Sequence, residues 1–490
     1  MLVIVGDDHA STVFGAYGNE RVRTPHLDSL AAAGVRFTRA YAQSPLCSAS
    51  RQSILTGKYP HATGVNLLFT PFNDATNLTL AEVLAAEGYA TALVGKQHFN
   101  SWIWRGLYAD GPPSFGFDTL IDNREYRAWR AERDDPLPPD AEVYADSIAG
   151  VERPVAALNP LVLPQPYTRA GAKATFLTEA ALEFAAARET QPFFLWVAYN
   201  EPHAPFAFPV EYAGRHRAEE MELPAGSPED DRWVPARFRG MTDAQRRGAI
   251  ASYYTSVEWL DANVGRLLTG LRAQGQLDST LVVYLGDQGY LLYDHKRFEK
   301  HTMWRGAIRA PLLFAGHGVP AGEVCEEVTE LVDVFPTICA GVGAAVPPEV
   351  QGASRWPLSC APETAHGDRA AFAEYLEDNT AMLCTRRWKY VFATGKRDLG
   401  QGYATGFGPA GITERLYDLE HDPRESTDVA DRHPARVAEL RGRLLERFRK
   451  THPDADDLPE GLTDIGQLVW FCEPRDVGAE YGGAPLRVFD

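Results

Sequence analysis

The feature that most constrains the fold of this chain is a repeated pairing of a short apolar run with a polar cluster directly after it. The apolar runs cover 2–5, 90–94, 192–199 and 281–285, and the polar clusters that follow them cover 7–8, 95–98, 200–203 and 287–288. Helical patterns, such as 170–189 and 242–274, lie between these runs. Strands that alternate with helices predict an α/β fold with a mostly parallel central sheet and helices on both faces. Because ligands bind beyond the carboxyl ends of such strands, the four clusters predict one convergent site.

The pattern changes after about residue 365. Short strand candidates at 371–375, 382–385, 389–392 and 416–419 are followed by a charged helical pattern at 433–450 and a Gly-, Pro- and Asp-rich stretch at 451–490. We therefore predict an α/β domain over 1–365 that contains the convergent site. A smaller C-terminal α+β domain over 366–490 is predicted to carry a short antiparallel sheet, a helix and an extended tail.

The composition excludes several classes of protein. The net charge of −18 argues against a nucleic-acid partner, because neutralising phosphates requires clustered Lys and Arg. The six cysteines include no C-x-x-C pair, so we expect neither a zinc ribbon nor thioredoxin chemistry, and we interpret most of them as reduced thiols.

The first apolar run is too short for a signal peptide or a membrane span. As the chain is numbered, we expect a soluble cytoplasmic protein with no membrane partner. If a signal peptide has been removed, a periplasmic or secreted protein is expected instead. The sequence carries no prediction of oligomeric state.

Three of the residues that follow the apolar runs, Asp7, Asp8 and Asp287, are carboxylates. Three carboxylates that meet without a cation would repel one another and raise each other's pKa values. A divalent metal ion resolves this conflict, and Gln288 would add an amide oxygen to the ligands. Oxygen ligands alone favour Ca²⁺, with Mg²⁺ as the second choice. The alternative is that these residues only form helix-capping and ordinary turns.

The run C-S-A-S-R-Q-S-I-L-T-G over 47–57 resembles the signature of type I sulfatases, C-x-[P/A]-S-R-x-x-x-L-T-G. The resemblance implies that a formylglycine-generating enzyme converts Cys47 to 3-oxoalanine (formylglycine). The hydrated aldehyde then serves as the nucleophile and contributes a ligand to the metal. A hard metal ion matches this oxygen better than a thiolate, so the metal set and the oxidation of Cys47 support each other.

The resemblance to sulfatases extends over nearly the whole chain. Similar motifs are V-G-D-D-H at 5–9, T-P-H-L-D at 24–28, G-K-Q-H-F at 95–99, P-H-A-P-F at 202–206, G-D-Q-G at 286–289 and L-Y-D-L-E-H-D-P at 416–423. Asparagine or histidine often stands at the position of Gln288 in the family, and Lys300 matches its last active-site lysine. The resemblance implies an alkaline-phosphatase-like fold.

A sulfate ester carries a negative charge that the nucleophile must approach. Arg51, Lys96 and Lys300 are therefore expected to neutralise it and to stabilise the transition state. The resemblance places His203 as the proton donor to the leaving alcohol, with Lys300 as the competing candidate. His98 is our choice for the base in sulfate release. The alternative is that the lysines are solvated surface charges and that His203 is an ordinary loop residue.

Four residues of this chain are predicted to bind the substrate, namely Lys96, His203, Lys300 and His301. Next to Lys300, the sequence also carries His295, Lys296 and Arg297. The aromatic residues of 100–130 are either a stacking wall for a sugar or aryl ring or a satellite core, and we favour the core.

The leading interpretation is a sulfatase that hydrolyses a small-molecule or oligosaccharide sulfate ester, with a sulfated sugar as one candidate. The first alternative is a phosphonate monoester or phosphodiester hydrolase on the same scaffold. The second alternative, of another class, is an inactive binding or scaffold protein. The complete set of motifs argues against an inactive protein.

Overall fold

The computed structural model describes residues 1–68, 70, 72–73, 76–99, 114–148, 151–358, 369–394 and 411–475. The strands are β1 Leu2–Asp7, β2 Gly34–Tyr41, β3 Ala90–Gly95, β4 Thr119–Ile121, β5 Phe193–Pro202, β6 Leu281–Gly286, β7 Leu291–Leu292, β8 Phe298–Glu299, β9 Arg309–Gly316, β10 Glu323–Cys325, β11 Thr329–Glu330, β12 Ala371–Tyr375, β13 Thr380–Cys384, β14 Trp388–Ala393 and β15 Thr413–Asp418. The helices are α1 Pro25–Ala32, α2 Cys47–Thr56, α3 Pro60–Thr63, α4 Leu80–Ala86, α5 Asn123–Ala131, α6 Arg153–Ala156, α7 Lys173–Ala186, α8 Ala236–Arg239, α9 Asp243–Ala273, α10 Arg305–Ile308, α11 Val334–Val342, α12 Pro434–Thr451 and α13 Asp464–Phe471.

The central sheet has nine strands in the order β10-β2-β9-β6-β1-β5-β3-β4, and β11 also pairs with β2. All pairs are parallel except those of β9, which runs antiparallel to both β2 and β6. The predicted fold class, mostly parallel with helices, is therefore confirmed. The apolar run at 311–314 belongs to β9, which runs in the opposite direction to its neighbours β2 and β6.

Alternate residues of β1 enter two different cores. Val3 and Val5 pack on the face that is covered by α2, α4 and α11. Leu2 and Ile4 pack on the face that is covered by α1, α7 and α9. Because both faces of the sheet are covered by helices at β1, nearly every residue of this strand is apolar before Asp7.

The C-terminal part contains an antiparallel sheet in the order β12-β13-β14-β15. One face packs on α12 and α13, and the other packs on the segment that leads into α2. The predicted extended tail is wrong over 464–471, where α13 buries Leu468 and Phe471 against this sheet. The predicted domain boundary at 365 lies outside the described residues.

Two smaller expectations can also be compared with the structure. The described cysteines, at 47, 325, 339, 384 and 472, are all free and buried. In the part of the chain that the structure describes, no helix combines the length and the apolar character needed to cross a membrane.

Candidate active site

The polar clusters converge because β1 pairs on one side with β5 and on the other with β6, in parallel. Parallel pairing brings the carboxyl ends of the strands to one edge. At this edge the backbone N–H of Asp8 donates to Oδ1 of Asp287 at 2.9 Å. The side chains of Asp7, Asp8, Asp287 and Gln288 are all buried there.

Three cations of the chain lie against the three carboxylates. Lys96 donates to Asp7, and Lys300 donates to Asp8. Arg51 is fully buried, with Nε 2.7 Å from Oδ2 of Asp287 and Nη2 3.3 Å from Oδ1 of Asp7. Helix α2 presents Arg51 one turn after Cys47, which explains why the motif spaces them by four residues.

Cys47 is the first residue of α2 and lies beside these charges. Its Sγ is 3.4 Å from Nζ of Lys300. Its sulfur and carboxylate oxygens of Asp7 and Asp287 all lie within 4.8 Å of one another. Burial raises the pKa of the Cys47 thiol, although Lys300 and Lys96 oppose the shift. The unmodified side chain is therefore a neutral thiol, which is a poor nucleophile.

The carboxylates differ in their affinity for protons. Burial would raise the pKa of Asp7, but Lys96, His203, Arg51 and Lys300 together hold it well below its usual range. Burial raises the pKa of Asp287 to about 6, and Arg51 only partly offsets this. Lys300 is also buried, yet the acidic groups around it hold its pKa well above the usual range, so it stays charged.

The donor set fits a hard divalent cation. Oδ1 of Asp7 and Oε1 of Gln288 are buried oxygens that accept no hydrogen bond from any residue the structure describes. The amide nitrogen of Gln288 already donates to Asp8, which holds this side chain at the site. Three carboxylates and an amide oxygen are ligands that suit Ca²⁺ or Mg²⁺.

The three predicted histidines occupy different positions. His98 follows β3 in a left-handed conformation with φ of 55°, and its buried Nδ1 has no hydrogen-bond partner among the described residues. Burial, reinforced by Lys96 and Arg51, holds the pKa of His98 well below the usual range. His203 lies further out, with 36% of its side chain exposed and Nε2 3.8 Å from Oδ2 of Asp8. Because a carbonyl only accepts, the 2.7 Å contact with the oxygen of Ala204 assigns the proton to Nδ1.

His301 does not reach the carboxylates with the other predicted residues. Its Nδ1 is 3.9 Å from Oε2 of Glu299, and its ring lies 6.0 Å from that of Tyr375. Its predicted contact with the substrate stays a prediction. His295 instead stacks on Trp304, with ring centroids 3.9 Å apart, on the far end of the same hairpin.

The aromatic residues of 100–130 fall into three groups: two lie in one core, two pack against the other core, and three are outside the described residues. Phe115 and Phe117 are buried in the core under one face of the sheet, and Tyr126 and Trp129 pack against the core under the other. For these four, the satellite-core interpretation agrees with the structure. Trp102, Trp104 and Tyr108 lie outside the described residues.

Sequence reasoning missed two supports of the site. The hydroxyl of Tyr253 donates to the carbonyl oxygen of Asp8 and accepts from the backbone N–H of Ala10 at 2.7 Å. The hydroxyl of Ser50 donates to the carbonyl of Asp287. Tyr253 belongs to the apolar face of the long helical pattern, so only its phenol group could have suggested a polar role. Ser50 is a fixed position of the signature and could have been singled out.

Comparison with known proteins gives matches along nearly the full length. Residues 1–344 match the family model described as sulfatase, and residues 293–453 match the model described as N-sulphoglucosamine sulphohydrolase, C-terminal. An arylsulfatase of Clostridium perfringens is 25% identical, over 96% of this chain and 97% of its own.

Two solved structures share the fold. A phosphonate monoester hydrolase of Silicibacter pomeroyi has a TM-score of 0.76 at 24% identity, covering 94% of this chain and 96% of its own. A protein solved with its substrate D-glucosamine-2-N,6-O-disulfate has a TM-score of 0.71 at 22% identity, covering 93% and 98%. Since the sulfatase model spans well over half of the chain, the chain belongs to the sulfatase family of the alkaline-phosphatase-like superfamily and is a sulfuric ester hydrolase.

Proposed function

We propose that this sulfatase cleaves the sulfate ester of a small molecule or oligosaccharide into an alcohol and inorganic sulfate, using formylglycine made from Cys47 and one divalent metal ion. The observation that carries the proposal is the position of Cys47, whose sulfur lies within 4.8 Å of ligand oxygens of Asp7 and Asp287. The sulfated sugar named for one relative makes sugar sulfates the first substrates to test.

Four residues would hold the metal ion, namely Asp7, Asp8, Asp287 and Gln288. When bound, the ion supplies positive charge against the sulfate oxygens. The hydrated aldehyde at position 47 supplies a hydroxyl nucleophile in place of the thiol. Calcium fits better than magnesium because the protein itself would supply four oxygen ligands. Mg²⁺ usually keeps several waters and binds through one or two carboxylates and the phosphates of a substrate.

The cations of the chain bring positive charge to the position that the sulfate group must take. Lys300 is 3.4 Å from the sulfur of Cys47, and Lys96 is close enough to lower the pKa of the same thiol. Both are oriented before substrate arrives, because each already donates to a carboxylate. Charge that is fixed in advance stabilises a transition state without reorganisation.

Two histidines are our candidates for proton transfer. His203 is exposed enough to meet a leaving alcohol, and because Nδ1 donates to Ala204, the proton that it would give up is the one that Nε2 carries in the imidazolium form. We assign it the role of proton donor. His98 is half-buried and neutral, and its Nδ1 has no hydrogen-bond partner among the described residues, so it can accept the proton that must be removed when sulfate is released.

The proposal is tested by comparing Cys47→Ala with Cys339→Ala, both purified from cells that express the formylglycine-generating enzyme. Cys339 is an equally buried free cysteine on α11 and serves as the matched control. Cys47→Ala is expected to lose turnover of 4-nitrophenyl sulfate, whereas Cys339→Ala retains it. Wild-type activity in Cys47→Ala would overturn the proposed nucleophile.

The modification itself is measured by mass spectrometry. Conversion of the thiol to the aldehyde lowers the mass of the peptide that contains Cys47 by about 18 Da, as the atomic composition requires. An unmodified peptide in a protein with full activity would contradict the role of formylglycine.

A second candidate function is phosphonate monoester hydrolysis, favoured by the likeness to the Silicibacter pomeroyi enzyme. Phenyl sulfate and phenyl phenylphosphonate offer the same leaving group with different anions. We expect the ratio of kcat/KM to favour the sulfate. A ratio that favours the phosphonate would assign the chain to the second activity.

A further inference from the structure

Lys173 is a half-buried cation at the same edge of the sheet as the active site. It begins α7, which leads into β5, and its Nζ donates to Oδ1 of Asn200 near the end of β5 at 2.7 Å. Asn200 is three residues before His203, the proposed proton donor. Among the described residues, no carboxylate oxygen lies within 4.0 Å of the ammonium group of Lys173.

The charges around Lys173 leave its own charge incompletely balanced. Burial lowers the pKa of Lys173, and the largest acidic influence that opposes the shift comes from Glu201, with smaller ones from Asp7 and Asp122. Burial raises the pKa of Glu201 itself to about 7, so this acid carries only part of a negative charge near neutral pH. The group that actually touches Lys173 is the neutral amide of Asn200.

The three carboxylates of the candidate active site do not need Lys173 to balance their charge. Inside the site, the three carboxylates already face three other cations, each within ion-pair distance. Lys173 is nevertheless close enough to this group that both Lys96 and Asp7 influence its pKa. A positive charge at the rim of an anion-binding site, with no full counter-charge, is suited to a second anion.

We propose that Lys173 binds a second anionic group of the substrate, a carboxylate or a second sulfate carried by the same sugar. The substrate class is then a sulfated sugar with at least two negative charges. The inference rests on the proposed sulfatase function and goes beyond it by naming the substrate class and a residue that selects it. Lys173 acts here in specificity, at a distance from the ester that is cleaved.

The competing explanation is that Lys173 only offsets the charge of Glu201. Two changes separate the explanations: Lys173→Met removes the cation, and Glu201→Gln removes the acid. If Lys173 only offsets the charge of Glu201, the double variant should recover the kcat/KM for two-charge sugars that Lys173→Met loses. If Lys173 binds substrate, the loss persists in the double variant.

The experiment compares D-glucosamine-2-N,6-O-disulfate and a sulfated uronic acid with 4-nitrophenyl sulfate, which carries one charge. The wild-type protein is expected to have a higher kcat/KM for at least one of the two-charge sugars than for monosulfated D-glucosamine. In Lys173→Met, the ratio of kcat/KM for that sugar to kcat/KM for 4-nitrophenyl sulfate should fall about tenfold or more, the usual worth of a charged hydrogen bond. Lys173→Arg, which keeps the charge, should recover most of the ratio.

A binding measurement separates failure of this inference from failure of the proposed function. In the Cys47→Ala background, calorimetry with the same sugars should show a Kd about tenfold higher when Lys173 is also Met. An unchanged ratio, an unchanged Kd, or recovery by Glu201→Gln overturns the role of Lys173. If wild type hydrolyses no sulfate ester, the proposed function fails, and the calorimetric result alone decides whether the anion site exists.

Discussion

At the scale of single residues, the two candidates for the proton donor differ in charge and in burial. Lys300 is buried, donates to Asp8, and has a pKa held well above its usual range, so it releases a proton with difficulty. His203 is partly exposed, and burial and Lys96 lower its pKa. A group that gives up its proton easily and faces solvent is the better match to a leaving alcohol.

The first prediction separates His203 from Lys300 by the leaving group. Loss of the true donor should slow an alkyl or sugar sulfate by about 10²–10⁴, the usual size of general acid catalysis, and a nitrophenyl sulfate much less, because nitrophenol leaves without help. We expect this difference in His203→Ala, and an equal loss on both substrates in Lys300→Ala. Rates that fall equally on both substrates in His203→Ala would assign the proton to another group.

The second prediction concerns removal of the metal ion. A ligand that binds only the folded state stabilises it by about 2.7 kcal/mol at one hundred times its Kd. Chelation should therefore lower the thermal midpoint of wild type, and calcium should restore it. Gln288→Ala should need more calcium for the same restoration, because one oxygen ligand is lost.

The control for the metal prediction is Glu420→Gln. Glu420 belongs to the exposed group with Asp418 and His421, the other described cluster whose spacing could hold a metal. Its substitution should leave the calcium-dependent midpoint unchanged. A shift in Glu420→Gln equal to that in Gln288→Ala would place the stabilising metal at the surface.

The convergence of Asp7, Asp8, Asp287 and Gln288 with Cys47 was predictable from the sequence because each occupies a strand end or a fixed motif position. The pairing of Lys96 with Asp7 and of Lys300 with Asp8 was not, since the partners are 89 and 292 residues apart. Lys173 also gave no signal, because a lysine in a helical pattern is usually a solvated charge. The sequence indicates which side chains meet at the carboxyl edge of the central sheet, and the structure shows which of them form ion pairs.

At the scale of elements, the hairpin β7–β8 positions Lys300 through an unusual backbone. Five residues other than glycine have positive φ between 53° and 73° here, namely Tyr293, His295, Lys296, Glu299 and His301. Such conformations persist only where the surroundings enforce them. The stack of His295 on Trp304 and the bond from His295 to Asp230 at 2.9 Å supply that enforcement.

The third prediction is that Trp304→Leu lowers kcat/KM by about 10²-fold, because a displacement near 1 Å of a catalytic group costs roughly that much. Trp388→Leu is the matched control, since Trp388 lies on β14 against His433, away from the hairpin. Both variants should lose some stability, whereas only Trp304→Leu should lose rate at a temperature where each is folded. Equal losses of rate would show that the hairpin needs no support from Trp304.

The fourth prediction concerns Asp261, which joins α9 to the start of α1. Its Oδ1 accepts from the backbone N–H of Leu27 at 2.8 Å, and burial raises its pKa to about 7 from a usual 3.8. The folded state therefore holds a proton that the unfolded state loses. The stability that this proton provides is present below about pH 4 and is lost as the pH rises through about 7.

Asp261→Asn keeps an oxygen acceptor and removes the titration. The free energy of unfolding of the variant relative to wild type should therefore rise by about 2 kcal/mol between pH 5 and pH 8. Urea unfolding at the two pH values measures the difference. A constant difference between the two proteins would show that Asp261 is ionised in the folded state at both pH values.

The elements that sequence predicted best are the strands of the parallel part of the sheet, which are apolar throughout. Strand β2 was missed because its sequence, G-V-R-F-T-R-A-Y, is only half apolar, as its partly exposed residues allow. Helix α13 was missed for another reason. Its apolar residues Ile465, Leu468 and Phe471 have helical spacing, but the surrounding Gly, Pro and Asp indicated a tail.

At the scale of the whole molecule, the C-terminal sheet packs against the segment that carries Cys47, the proposed nucleophile. Ala371 and Tyr375 of β12 share a core with Leu46 and Ala49, which flank Cys47. The backbone N–H of Glu374 also donates to the carbonyl oxygen of Gln43 at 2.9 Å. The two sheets therefore have to fold together for α2 to be placed, and we expect one cooperative unfolding transition.

The fifth prediction tests this coupling at the contact between α12 and β11. Arg447 donates to the buried carboxylate of Glu330, with Nη1 3.1 Å from Oε2, and also to the hydroxyl of Tyr59. Arg447 is itself 25% exposed, but its removal leaves the buried carboxylate of Glu330 without its cation, which costs up to about 3–5 kcal/mol. Arg447→Ala should lower the free energy of unfolding by about this amount and shift the single calorimetric transition as a whole.

Arg449→Ala is the matched control on the same helix. Arg449 donates to Gln467 at an exposed position, so its loss should change the free energy of unfolding by no more than about 0.5 kcal/mol. Calorimetry with near-ultraviolet circular dichroism reports both sheets, since tryptophans lie in each. If Arg447→Ala separates the transition into two, the C-terminal sheet unfolds by itself, and the catalytic sheet does not depend on it for stability.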